Sequence, residues 1–158
     1  MKTFEFDYAA FQNHLASIAD VSDRELALLE DTVRFYNNKN RAVTRIGGDA
    51  VTRCFYYATA TSPGCAIGRC MDRNFVYDGM ADIAAVIDSK YPLPPWLLAM
   101  DRSFLNSLQT LHDGDPYWND AGLSAAGNFY YNYIKNSIEQ RRTERAQKTI
   151  VDMSSGTA

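Results

Sequence analysis

Cys65, His112 and Asp113 are the residue types of a thiolate nucleophile, a general base and an orienting carboxylate. A thiol beside an imidazolium ionises readily and attacks well, so such a trio could carry hydrolysis or group transfer. The local context argues otherwise. Strong cysteine-enzyme signatures place the nucleophile at a helix start or in a recognised loop, whereas Cys65 follows Pro63-Gly64 inside a short apolar segment. A free cysteine there reads as a small buried hydrophobe, and His112-Asp113 as a helix end. The balance favours a binding module over a Cys-His hydrolase or transferase.

A second group is cationic. Arg41, Arg45, Arg53 and Arg69 flank an aromatic run containing Tyr56 and Tyr57. Guanidinium groups beside aromatic rings suit phosphate clamping and base stacking, so these arginines, Tyr56 and His112 form a candidate site for a small anionic, nucleotide-like ligand. The competing reading pairs the arginines with some of the chain's 19 acidic residues. No glycine-rich phosphate loop precedes a helix, since Arg45-Ile-Gly-Gly48 is too short.

Metal ligation is weakly signalled. Cys54, Cys65, Cys70 and His112 lack the paired spacing of a structural zinc site, and only Cys65-x4-Cys70 comes near it. Asp113-x-Asp115 with Asn119 and Asp120 resembles a calcium loop, yet Tyr117 fills a ligand position, Trp118 stands where glycine is needed, and no glutamate closes it. The sequence calls for neither metal nor cofactor.

These residues need elements to hold them. Asp7 can cap a first helix with Tyr8, Phe11, Leu15 and Ile18 at helical spacing. Ser22-Asp-Arg-Glu25 reads as a capping box opening a second helix, with Leu26, Leu29, Val33 and Tyr36 inward and Asn37-Asn-Lys-Asn40 stopping it. Residues 53–59 and 65–69 read as two strands of a small hairpin about the Pro63-Gly64 turn. A short helical pattern covers 80–87, and Tyr91-Pro-Leu-Pro-Pro-Trp96 breaks it. Asp101 or Ser103 caps a helix with Phe104, Leu105, Leu108 and Leu111 inward and His112 in its last turn. Ser124 begins a final helix with the stripe Ala126, Tyr130, Tyr133, Ile134 and Ile138 and a basic end.

The expected fold is therefore α+β: a mainly helical single domain over 1–150 with a small β-hairpin packed against helices, followed by a tail at 151–158. At 158 residues, with 46% hydrophobic and 22% charged, one core suffices. A net charge of −3 argues against nucleic acid held by bulk charge. No window approaches a membrane span, and three cysteines fit a reducing cytoplasm better than a disulfide scaffold. The aromatic final helix favours a homo-oligomer, because a symmetric pair would bury it against its copy.

Cys54, Tyr56, Gly64, Cys65-Ala-Ile-Gly-Arg69, Leu105 to Asp113, Trp118 and Gly122 to Gly127 together resemble a family of short uncharacterised bacteriophage, prophage and bacterial proteins. Cys70 and Met71 depart from the leucine-rich continuation of that pattern. The resemblance implies a phage-associated protein of the host cytoplasm. The function expected is a binding protein that sequesters a small anionic ligand or inhibits a host protein, with a minor virion structural or assembly component as the alternative.

Overall fold

The computed structural model describes residues 4–46, 51–73, 83–88 and 92–156, with the backbone alone for 44–46 and 51–54. The architecture is mainly helical α+β. The helices are α1 (Tyr8–Ser17), α2 (Val21–Phe35), α3 (Ile83–Asp88), α4 (Pro95–Leu98), α5 (Arg102–Asp113) and α6 (Ala125–Ser155). Two antiparallel ribbons pair β1 (Val43–Ile46) with β2 (Val51–Cys54) and β3 (Trp118–Asn119) with β4 (Gly122–Leu123). No helix among the described residues is long and apolar enough to cross a membrane.

Short acceptor side chains start several helices. Asp7 accepts the Ala10 amide at 2.9 Å, Asp101 those of Ser103 and Phe104, and Ser124 that of Gly127, each satisfying an amide the helix cannot reach. α2 begins earlier than its capping box suggests, with Asp20 accepting the Asp23 amide at 2.9 Å. Ser22 and Glu25 lie inside the helix and are buried, because α6 uses them as acceptors. The inward face is accordingly Leu28, Leu29 and Thr32 with Tyr36 at the cap, while Leu26 and Val33 are half-buried.

The expected hairpin is displaced. β2 pairs backward with β1, in the register Thr44↔Arg53 and Arg45↔Thr52, and the Phe55 amide extends the ladder to the Ala42 carbonyl at 2.7 Å. Residues 65–69 form no strand. Gly64 takes φ +106°, the Cys65 amide returns to the Phe55 carbonyl, and Gly68–Cys70 closes as a turn of 3-10 helix. This fit is backbone against backbone: a Cβ on Gly68 would lie 2.1 Å from the Tyr56 carbonyl oxygen. Residues 62–71 are consequently buried throughout.

α3 supplies Ile83 and Val86 to the core, while 80–82 lies outside the described residues. Pro95 sits in the first turn of α4, where its missing amide costs nothing. α5 turns Phe104, Leu105, Leu108 and Leu111 inward, against Leu15, Leu28, Leu29, Ile134 and Ile138 in one core. On α6 the buried positions are Gly127, Ile134 and Ile138, with Tyr130 half-buried. Ala126 and Tyr133, expected inward, are exposed, because each precedes a buried position by one residue and so points about 100° away. The helix runs on through 151–155 to Ser155.

Candidate functional site

Arg69 is the most unusual side chain in the molecule. Its residue exposure is 0%. Its guanidinium carbon lies 4.4 Å from the Phe11 ring centroid, 4.8 Å from Tyr36, 4.9 Å from Phe35 and 5.4 Å from Phe6. The Nη1 atom approaches Asp31 Oδ1 to 2.7 Å, but its direction does not meet hydrogen-bond geometry, so the contact is an ion pair inside an aromatic box. A carboxylate and four electron-rich ring faces together offset the desolvation of the cation. Gln12 locks the segment from outside by donating to the Arg69 and Met71 carbonyls at 2.8 and 2.9 Å.

Tyr36 joins this box to the histidine. Its hydroxyl donates to the Gly64 carbonyl at 2.6 Å, and its ring meets His112 edge-on at 4.7 Å. His112 is fully buried, and burial lowers its pKa against the opposing pull of Asp113. The neutral ring donates from Nδ1 to Asp113 Oδ1 at 2.9 Å, an oxygen that also accepts Gln109 Nε2 at 2.8 Å. Its Nε2 therefore carries the lone pair, with no hydrogen-bond partner among the described residues.

Cys65 is not engaged by that nitrogen. Its Sγ accepts the Gly68 amide at 3.3 Å and stabilises the turn. Cys65 and Cys70 are free thiols, both buried, and burial pushes the Cys70 pKa up to about 12. Cys65 and His112 are thus buried without forming a nucleophile-base hydrogen bond, and Asp113 is half-buried beside the histidine. Among the described residues no three metal-ligating side chains converge.

Arg41 is buried on the other side of His112. It donates from Nη1 to the His112 carbonyl at 2.7 Å and from Nη2 to Asn38 Oδ1 at 3.1 Å and Asp115 Oδ1 at 2.9 Å. It also lies over the Trp118 indole, 5.8 Å from the ring centroid. A cavity of about 290 Å³ opens here, lined by Asn38, Arg41, Val43 and Asp115. Arg45 and Arg53 occupy neighbouring hairpin positions, but their side chains, like that of Cys54, lie outside the described residues. Tyr56 is buried, with its carbonyl against Gly68. Of the predicted ligand residues, Arg41 and His112 meet directly, whereas Arg69 belongs to a separate box reached through Tyr36.

No family model, curated protein or solved structure matches the chain.

The basic run near the C-terminus has a structural use that spacing did not reveal. Arg141 reaches the fully buried Glu25 carboxylate at 3.1 Å, whose other oxygen accepts the Asp101 amide at 2.7 Å. Arg145 donates to Ser22 Oγ at 2.5 Å, and Arg142 pairs with Asp23. These contacts clamp one face of α6 to the start of α2. The opposite face carries Phe129 and Ile150, 79% and 67% exposed, and Met153, 73% exposed, lies on its flank. Tyr117, Tyr130 and Tyr133 stack beside it, with ring centroids 5.0 and 5.8 Å apart. Asp31, Tyr36 and Gln109, which organise the buried groups, had no chemical signal in the sequence beyond helical position.

Proposed function

We propose that the chain is a non-catalytic binding protein that engages another protein through the outer face of α6. One observation carries this reading. Among the described residues, five of the seven large apolar side chains left exposed belong to α6, namely Phe129, Tyr133, Ile150, Val151 and Met153. Large exposed apolar side chains concentrated on one element, here in a group near each end of the helix, mark an interaction surface. The residues with catalytic potential, Cys65 and His112, are by contrast fully enclosed. With the resemblance to bacteriophage and prophage proteins, the partner would be met in the host cytoplasm, as an inhibited host protein or a virion assembly component. Affinity capture from expressing cells tests this by comparing the intact chain with Ile150→Ser/Met153→Ser. A partner retained by the first and lost by the second is expected, with the melting temperature unchanged, and equal recovery would overturn the reading.

A second reading rests on the Arg41 cavity, whose size approaches that of small-ligand sites. A small anionic ligand there would compete with Asp115 for the guanidinium. Calorimetry against linear and cyclic nucleotides should then detect binding that tightens several-fold in Asp115→Asn. No heat from either protein would remove this reading.

A further inference from the structure

We infer that His112 is an acid-sensitive latch: when its ring takes up a proton, Arg41 lets go and the chain leading into β1 leaves the end of α5 while the helices stay packed. The geometry prepares this. The neutral ring is fully buried, and its Nε2 has no hydrogen-bond partner among the described residues. A proton added there puts a charge in the interior and an N–H with no acceptor, a cost relieved only when the ring reaches water.

The charged groups around the ring add to that cost. Asp113, on the same helix, holds Nδ1 at 2.9 Å and favours the charged form. Arg41 approaches from the segment between α2 and β1, and Arg69 stands behind the Tyr36 ring, so both oppose a third cation. Each arginine already has an acid of its own, Asp115 for Arg41 and Asp31 for Arg69. Tyr36 and the Cys70 thiol behind it stay neutral, because burial raises both. Nothing on that side compensates a proton on His112.

Of the two arginines, Arg41 is the one that can leave. Arg69 is enclosed by four rings, and Gln12 ties down the carbonyls of its segment. Arg41 instead borders the cavity it shares with Asn38, Val43 and Asp115, and the Asp115 side chain is 33% exposed. One of its hydrogen bonds runs to the carbonyl of His112 itself, so a charge on that residue acts on it directly. Its departure lets water in from the cavity to solvate the imidazolium. Trp118, whose ring centroid is 5.8 Å from the Arg41 guanidinium and 6.5 Å from that of Tyr36, lies where the change can be read.

The test is a pH titration of Trp118 fluorescence in Trp96→Phe, followed alongside far-UV circular dichroism. Trp96 is the other of the chain's 2 tryptophans, and the backbone carbonyl that Arg24 uses there is retained. Below about pH 6.5 the emission should move to longer wavelength with the helical signal intact, and the shift should be lost in His112→Gln. Asp113→Asn removes the carboxylate that favours the charged ring, so it should move the transition to higher pH. Emission that stays constant from about pH 7.5 to 5, a shift that survives in His112→Gln, or one that coincides with loss of helix would overturn the inference. If His112→Gln does not fold, Asp113→Asn decides alone, and a transition at unchanged or lower pH would overturn it.

Discussion

Taking a guanidinium out of water costs several kcal/mol, and Arg69 offsets that cost with Asp31 and the rings of Phe6, Phe11, Phe35 and Tyr36. Removing one partner of such a pair strands the other. Arg69→Ala should therefore lower stability by about 3–5 kcal/mol in urea unfolding, and Arg69→Lys should not restore it, because a compact ammonium cannot fill a planar aromatic slot. A loss below about 1 kcal/mol would show that the box is not holding the fold. His112 gives a pH signature. Its folded pKa is lowered from 6.5, so just below that pH the unfolded chain binds more protons than the folded one. Its contribution is complete above about pH 6.5 and is lost as pH falls. The urea midpoint should drop between pH 7.5 and 5.5, less so in His112→Gln, and a midpoint that rises on acidification would contradict the buried neutral ring. The Cys70 thiol, pushed up to about 12 by burial, holds little thiolate at neutral pH. Iodoacetamide should reach it and Cys65 only on unfolding, and rapid labelling of either in the native protein would reopen the thiol chemistry.

At the scale of elements, what the sequence disclosed was local. Asp7, Asp101 and Ser124 each precede an amphipathic run and cap it as their chemistry requires. Asp20 and Ser22 both satisfy the same local rule at α2. The choice between them came from Arg141 and Arg145, which are more than 110 residues away and need Glu25 and Ser22 as acceptors. The hairpin was misplaced for a similar reason. A strand-like composition at 65–69 could not reveal that Gly68 would press against the Tyr56 carbonyl, which commits that segment to a turn. Gly68→Ala should cost about 1–3 kcal/mol, the range for forcing an extra methyl into packed structure, because the obstacle is backbone and cannot rotate aside. An Ala variant as stable as the parent would mean that this turn can move.

For the molecule as a whole, residue type drew attention to Arg41, Arg69 and His112 as candidate ligand groups, and the fold buries all three, a use that could not be read from the sequence. Whether an arginine faces a ligand or a buried carboxylate depends on Asp31 and Asp115, and no spacing rule places these acids beside their arginines. α6 was legible as amphipathic, yet its two faces could be assigned only once the clamp to α2 showed which one the domain consumes. The resulting picture is a fold that buries Arg24, Arg41 and Arg69 among its own acceptors and rings and presents apolar side chains on the far side of one long helix. Site-specific photocrosslinking in expressing cells tests that claim most directly, with a benzophenone side chain at Phe129 or Ile150 and a control at the exposed Asn106 of α5. The account predicts discrete crosslinked protein from the two α6 positions and none from Asn106. Absence of crosslinks at Phe129 and Ile150, or equal yield from Asn106, would contradict it.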